Sequence, residues 1–181
     1  LMSASSEKSF CNWLLTITGP RTDIVDRTTF TYDTAGNLET VKDALNRTTR
    51  FSKFDKHGNA QLVEAPNGVA TDLVFSPRGK LLSKTVRSTG LQAKTIYEYD
   101  HAGNMKKITL PDNSIINYTY DAAHRLTAIT DSRGNRIDYV LDLTGNRVSE
   151  EVRDPDGKLA RQISRTFDTM GRMTSQSGAA Q

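Results

Sequence analysis

The sequence predicts an all-β chain of tandem β-hairpins joined into one antiparallel sheet. Three observations carry this. A short phrase, aromatic-Asp-x-x-Gly-Asn-apolar, recurs seven times. Its copies stand about 21 residues apart, the signature of one supersecondary unit stacked many times. The runs between copies alternate apolar and polar in the strand manner and hold Thr, Val, Ile and Tyr, the residue types that suit a pleated surface.

Taken in chain order, the first copy is Tyr32-Asp33 with Gly36-Asn37-Leu38, and the second is Phe54-Asp55 with Gly58-Asn59. Phe75-Ser76 with Gly79-Lys80-Leu81 follows and has lost the Asp. Tyr99-Asp100 with Gly103-Asn104-Met105 is the other clean copy. Tyr120-Asp121 with His124-Arg125-Leu126 puts His at the Gly position. Leu141-Asp142 with Gly145-Asn146, then Phe167-Asp168 with Gly171-Arg172-Met173, complete the set. The anchor positions 33, 55, 76, 100, 121, 142 and 168 are separated by 22, 21, 24, 21, 21 and 26 residues.

Alternation is clearest late in the chain. Ile116, Tyr118 and Tyr120 share one face and Ile115, Asn117 and Thr119 the other. Ile137, Tyr139 and Leu141 repeat this against Asp138 and Val140. Leu159, Ile163 and Phe167 keep the period, interrupted by Arg161 and Arg165. A second, weaker turn signal falls 10 or 12 residues after most anchors. It reads Asp43 to Arg47, Asn67-Gly68, Asp112-Asn113-Ser114, Asp131 with Gly134-Asn135, and Asp154-Pro155-Asp156-Gly157. Each unit therefore holds two strands of about six residues and two turns, a hairpin of an antiparallel meander. A propeller would need odd and even copies to differ systematically, and they do not.

The residue types explain themselves. Asp at a strand end accepts bonds from backbone N–H groups about two residues ahead. Gly takes positive φ without steric cost, and Asn tolerates that region better than most residues. The aromatic pairs across strands, and the apolar residue after Asn restarts the core face. His124 predicts a turn that is differently shaped or mildly strained, and Ser76 one that is held differently. We expect a leading segment at 1–13, the repeat array at 14–176 and a tail at 177–181.

Composition bounds the function. Hydrophobic residues make up 36% of the chain and mean hydropathy is −0.54. Such a chain does not build a thick two-sided core, since globular domains carry roughly 45–50% apolar residues. The net charge of +3 comes from interspersed signs, without the basic stripe that nucleic-acid binding needs. Cys11 is alone, so no internal disulfide and no cysteine-based zinc site can form within the chain. No stretch of 18 apolar residues spells a membrane span. The run Phe10-Cys11-Asn12-Trp13-Leu14-Leu15-Thr16-Ile17 is faintly like a signal core but reads as a buried strand. An opening on Leu1 suggests an internal piece of a longer protein.

No catalytic constellation stands out. His57, His101 and His124 fall inside anchor turns, with no nucleophile–base pair implied. The periodic Asp residues are explained by turn closure. Calcium ligation is the next idea for Asp, Asn and Gly at turns, but neither a nine-residue roll repeat nor an EF-hand spacing is present. No metal or cofactor is expected. Asn46-Arg47-Thr48 and Asn117-Tyr118-Thr119 fit the glycosylation triplet, a pattern common by chance. Tyr97, Tyr99, Tyr118, Tyr120 and Tyr139 could stack on sugars or pack within the sheet; packing is the simpler reading.

Seven copies in register resemble the YD repeat of RHS-repeat proteins, the bacterial RHS toxins in particular. Gly19-Pro20-Arg21-Thr22-Asp23 leading into Thr29 to Asp33 carries the likeness, as does Tyr118 to Ile129. The resemblance covers roughly residues 14–176. It implies a large wound antiparallel sheet that forms a hollow shell around a C-terminal toxin. It also implies a structural, non-enzymatic role in a secreted or surface-delivered bacterial protein of the polymorphic-toxin type. The implied partners are the rest of the parent shell and its C-terminal cargo, with cell-surface glycans as the alternative. The shell-closing core of such toxins reads Asp-Pro-x-Gly-Leu. Asp154-Pro155-Asp156-Gly157-Lys158-Leu159 is a little like it but sits where an ordinary second turn is due. The toxin and the self-cleaving element are therefore expected outside this chain, and an isolated piece with open strand edges is expected to self-associate.

Overall fold

A computed structural model describes residues 13–20 and 26–180. Residues 1–12, most of the expected leading segment, lie outside this range with Phe10, Cys11 and Asn12, and so do residues 21–25. Among the described residues there is no helix. Fifteen strands form a sheet in which each lies beside the next in sequence, the order of a meander built from hairpins.

The chain divides into two compact units, Leu1–Lys94 and Thr95–Gln181. The first holds β1 (Thr16–Thr18), β2 (Arg27–Tyr32), β3 (Leu38–Lys42), β4 (Thr48–Phe54), β5 (Ala60–Glu64), β6 (Ala70–Phe75) and β7 (Leu81–Ser88). The division falls within β8 (Leu91–Tyr99). The second unit continues with β9 (Met105–Thr109), β10 (Ile115–Tyr120), β11 (Leu126–Asp131), β12 (Arg136–Leu141), β13 (Arg147–Arg153), β14 (Leu159–Phe167) and β15 (Met173–Ala180). β15 takes in residues 177–180, so the expected tail is strand and not a separate segment. Of the expected strand over residues 10–17, the described part makes only the short β1, where Ile17 is 40% exposed rather than buried.

Each unit is one layer thick. Among the described residues, element contacts run only between sequence neighbours, so none of them packs across either face. Only Ala128, Ile163 and Thr85 are buried among the described residues. This is what a chain of 36% hydrophobic content can build: strands that cover one another sideways, with no second layer to enclose a core.

Twelve of the connecting turns share one five-residue form. The first residue's N–H donates to the fifth residue's carbonyl, and the fourth residue's N–H donates back to the first residue's carbonyl. This is the three-residue hairpin loop, a type I turn closed by a residue at positive φ. The fourth position is Gly in nine turns, and Asn46, Asn113 and His124 in the others, with φ of 61°, 64° and 62°.

The second turns are therefore not weaker in their backbone. Those opening at Asp43, Ala65, Leu110, Asp131 and Asp154 carry the same pair of bonds as the anchors. At Ala65 and Leu110 the first residue has no acceptor, and the third residue supplies it. Asn67 Oδ1 accepts from Val69 N at 3.2 Å, and Asp112 Oδ1 from Ser114 N at 3.0 Å. Pro66, Pro77, Pro111 and Pro155 all occupy the second position, where their fixed φ suits a type I turn. The β7–β8 connection alone is a two-residue turn, Thr89-Gly90, among the described hairpins.

Candidate functional site

The most structured surface of each unit is the rim that carries the anchor turns. In a meander all of them fall at the same strand ends, and the return turns fall at the other. Asp33, Asp55, Asp100, Asp121, Asp142 and Asp168 open their turns, and each places Oδ1 under backbone N–H groups. Asp33 Oδ1 accepts from Ala35 N at 2.9 Å and Asn37 N at 2.8 Å, and Asp168 Oδ1 from Met170 N and Arg172 N at 2.9 Å. Ser76 does the same through its hydroxyl, taking Arg78 N at 3.3 Å and Lys80 N at 3.1 Å. The lost Asp changes the acceptor and leaves the fold of the turn intact.

The fifth position differs from expectation. Asn37, Asn59, Asn104 and Asn146 are not the residues at positive φ; Gly36, Gly58, Gly103 and Gly145 are. Each Asn instead donates its side-chain amide to Oδ2 of the opening Asp, at 2.9 Å in all four turns. Arg125 and Arg172 do this with Nε, at 2.7 and 2.8 Å. An amide or a guanidinium fits because the site needs a donor, and Asp Oδ1 is already engaged by the backbone.

These bonds hold the carboxylates charged. Asp142 is lowered to about 2, chiefly by the Asn146 amide and then the Thr144 hydroxyl. Asp33, Asp55 and Asp100 are lowered first by their Asn partners, and Asp121 and Asp168 first by the backbone N–H of Arg125 and Arg172.

The anchor turns also touch one another, which the sequence did not announce. The fifth side chain of one turn leans over the fourth residue of the next. A Cβ on Gly58 would sit 3.1 Å from Asn37 Oδ1, and one on Gly171 would sit 3.7 Å from Asn146 Oδ1. Arg125 reaches Gly145 in the same way and donates through its guanidinium to Asp142 O at 3.1 Å. His124 meets Asn104, with Nδ1 and Nδ2 3.2 Å apart. Trp13 takes the fifth-residue role over Gly36, where a Cβ would lie 2.7 Å from its ring. Gly79 has open space there and breaks the series.

The His124 turn keeps the bonds of its neighbours, so it is not differently shaped; what remains is the cost of a non-Gly residue at φ 62°. His57, His101 and His124 are exposed.

The aromatic residues before the anchors are half-buried against the sheet. The Tyr32 hydroxyl donates to Leu14 O at 2.9 Å, and Tyr120 to Met105 O at 2.8 Å. Burial pushes the Tyr99 and Tyr120 hydroxyls upward in pKa. Phe54, Phe75 and Phe167 hold the same place without a hydroxyl. The register shifts at Tyr32, Phe75, Tyr99, Tyr120, Leu141 and Phe167, so each opposes two residues of the next strand in a β-bulge. At Phe54 there is no shift; Lys53 takes φ 55° instead.

Among the described residues no group of three or more His, Cys, Asp or Glu could hold a metal ion. No helix among the described residues is long and apolar enough to cross a membrane. What the rim presents is repetition.

A family model described as RHS Repeat matches residues 99–136 and 120–159, the stretch that opens on the Tyr99 and Tyr120 copies. The fold recurs in solved structures. A crystal structure of TcdB2-TccC3-Cdc42 aligns with a TM-score of 0.70 at 14% identity, covering 97% of this chain and 12% of that one. One of TcdB2-TccC3-TEV aligns with a TM-score of 0.75 at 16% identity, over 96% of this chain and 11% of the other. The Photorhabdus luminescens Tc holotoxin pore, carrying a TccC3 mutation, gives 0.54 at 16% identity, over 97% and 13%. The chain thus spans about an eighth of the length of the chains it resembles.

Proposed function

We propose that this RHS-repeat chain is a wall segment of a larger shell that encloses a C-terminal toxin or other cargo until delivery. The observation that carries the reading is the single-layer hairpin sheet itself. Its turns and strands are built for repetition, and among the described residues no layer covers either face. The likeness to chains of Tc toxin assemblies supports it at the level of fold. The segment performs no turnover; its action is steric. It works as part of a secreted or surface-delivered protein, in contact with the remaining shell and the cargo.

The test is limited proteolysis of the full-length gene product. The C-terminal segment stays intact under native conditions and is digested once the shell is opened by denaturant. A C-terminal segment cut as fast before opening as after it would refute the shell.

A further inference from the structure

The two faces of the second unit, Thr95–Gln181, differ in kind. Register carries one face across the sheet. Tyr97 opposes Ile108, which opposes Ile116. Two residues on, Tyr118 opposes Ile129, which opposes Ile137, which opposes Val152. Tyr99, Tyr120 and Tyr139 share this face by strand alternation. All five tyrosines are half-buried, shielded only by neighbours in the same sheet.

The opposite face balances its own charge. Lys107 pairs with Glu98 at 3.0 Å, Arg136 with Asp138 at 2.6 Å, and Arg153 with Glu151 at 2.5 Å. Asn117, Thr119 and Ser164 lie exposed between them. Val140, 52% exposed, and Ile96 are uncovered there too, so what distinguishes this face is its cancelled charge and its lack of tyrosine, not an absence of apolar surface.

On the tyrosine face the charges of β13 and β14 do not cancel. Arg165 pairs with Glu150 at 3.7 Å, and Arg147 lies 3.8 Å over the Tyr139 ring. Arg161 is exposed, and no carboxylate of the described residues lies within ion-pair distance. The face therefore joins an uncovered apolar surface to a positive surplus.

We propose that the tyrosine face is the one turned towards the cargo, and that the cargo segment it meets carries acidic and apolar side chains. This rests on the shell reading above. Tyrosine offers rigid, amphipathic contact area at low entropic cost and makes few demands on partner sequence. Arginine supplies a planar fork for carboxylates. The self-neutralised face is then left to solvent.

The experiment uses the full-length gene product with a photo-crosslinking amino acid, p-benzoyl-phenylalanine, placed singly at Tyr118, Tyr139, Asn117 or Ser164. Each variant is first checked for protease shielding of its C-terminal segment. Tyr118 and Tyr139 should crosslink to that segment, and Asn117 and Ser164 should not. Arg161→Glu should reduce the Tyr139 crosslink several-fold. Crosslinks from Asn117 and Ser164 instead, with shielding intact, overturn the facing and leave the shell standing. Crosslinks from the tyrosine positions to a second copy of the chain also overturn it. Crosslinks to the C-terminal segment that ignore Arg161→Glu overturn the acidic character of the cargo. Loss of shielding in the unmodified protein counts against the shell itself.

Discussion

The anchor rim and the return rim use the same five-residue loop but different means of joining one loop to the next. On the anchor rim the contact runs through the fifth residue. Asn37, Asn104, Arg125 and Asn146 each close their own turn and then reach the following one. On the return rim it runs through the second residue. Ser132 exchanges bonds with Ile115, its N–H donating to the carbonyl at 2.8 Å and its Oγ accepting from the amide at 3.1 Å, and Pro155 lies against Gly134. Bulges accompany six of the seven anchor turns, the Asp55 turn being the exception, and, of the five-residue return turns, the one at Asp154. Bulges add local twist, so the two rims do not impose the same geometry on the strands between them. A repeat can keep one backbone loop at twelve of its connections and still give a sheet two unlike borders.

Acid should expose the difference most strongly. Six anchor carboxylates are lowered, and on the return rim the position-one carboxylates of Asp43 and Asp131 are lowered as well. A carboxyl that is more acidic folded than unfolded binds protons preferentially in the unfolded chain. Its stabilisation is complete above a pH of about 4 and is lost as pH falls towards the Asp142 value of about 2. Denaturation midpoints should therefore drop across that window, and Asp142→Asn should shrink the drop. A pH-independent midpoint between 4 and 2 would separate turn closure from carboxylate charge.

Glycine substitutions sharpen the comparison next. Gly36→Val meets both a φ of +90° and the Trp13 ring, and should cost about 3 kcal/mol in a denaturant titration. Gly68→Val has open space and meets backbone strain alone, at about 1–2 kcal/mol. Equal losses would mean that Trp13 yields freely and that stacking between turns contributes nothing.

Asn104→Ala should cost about 1 kcal/mol more than Asn135→Ala. Both lose the amide bond to their opening Asp, at 2.9 and 2.7 Å, but only Asn104 also loses a bond to the next turn. Matched losses would remove the interlock from the account. The smallest effect is at His124. His124→Gly should raise stability by a few tenths of a kcal/mol, the relief of positive φ being partly offset by the lost Asn104 bond. By the same reasoning Gly103→Val should destabilise more than His124→Val.

Much of this fold is written locally. Asp followed three residues later by Gly marks a turn because both residues act within five positions. The return turns at Ala65 and Leu110 read faintly because their acceptor moves to Asn67 and Asp112, and the common backbone form does not depend on it. The role of the fifth residue was misread: Asn is compatible with positive φ, and sequence alone does not reveal that Gly takes that conformation while Asn bonds to Asp. The contact of Asn104 with His124 spans a whole repeat, and the bulges are properties of pairing. Neither exists until strands stack. The tyrosine face is legible as alternation, yet its contrast with the opposite face needs the register that places Lys107 beside Glu98.

The most direct measurement is a cryo-electron microscopy reconstruction of the full-length gene product. The account predicts residues 13–180 as part of a continuous strand wall around an enclosed space, with C-terminal density inside it. A sheet bathed in solvent on both faces, with the C-terminal segment lying apart from it, would contradict the account.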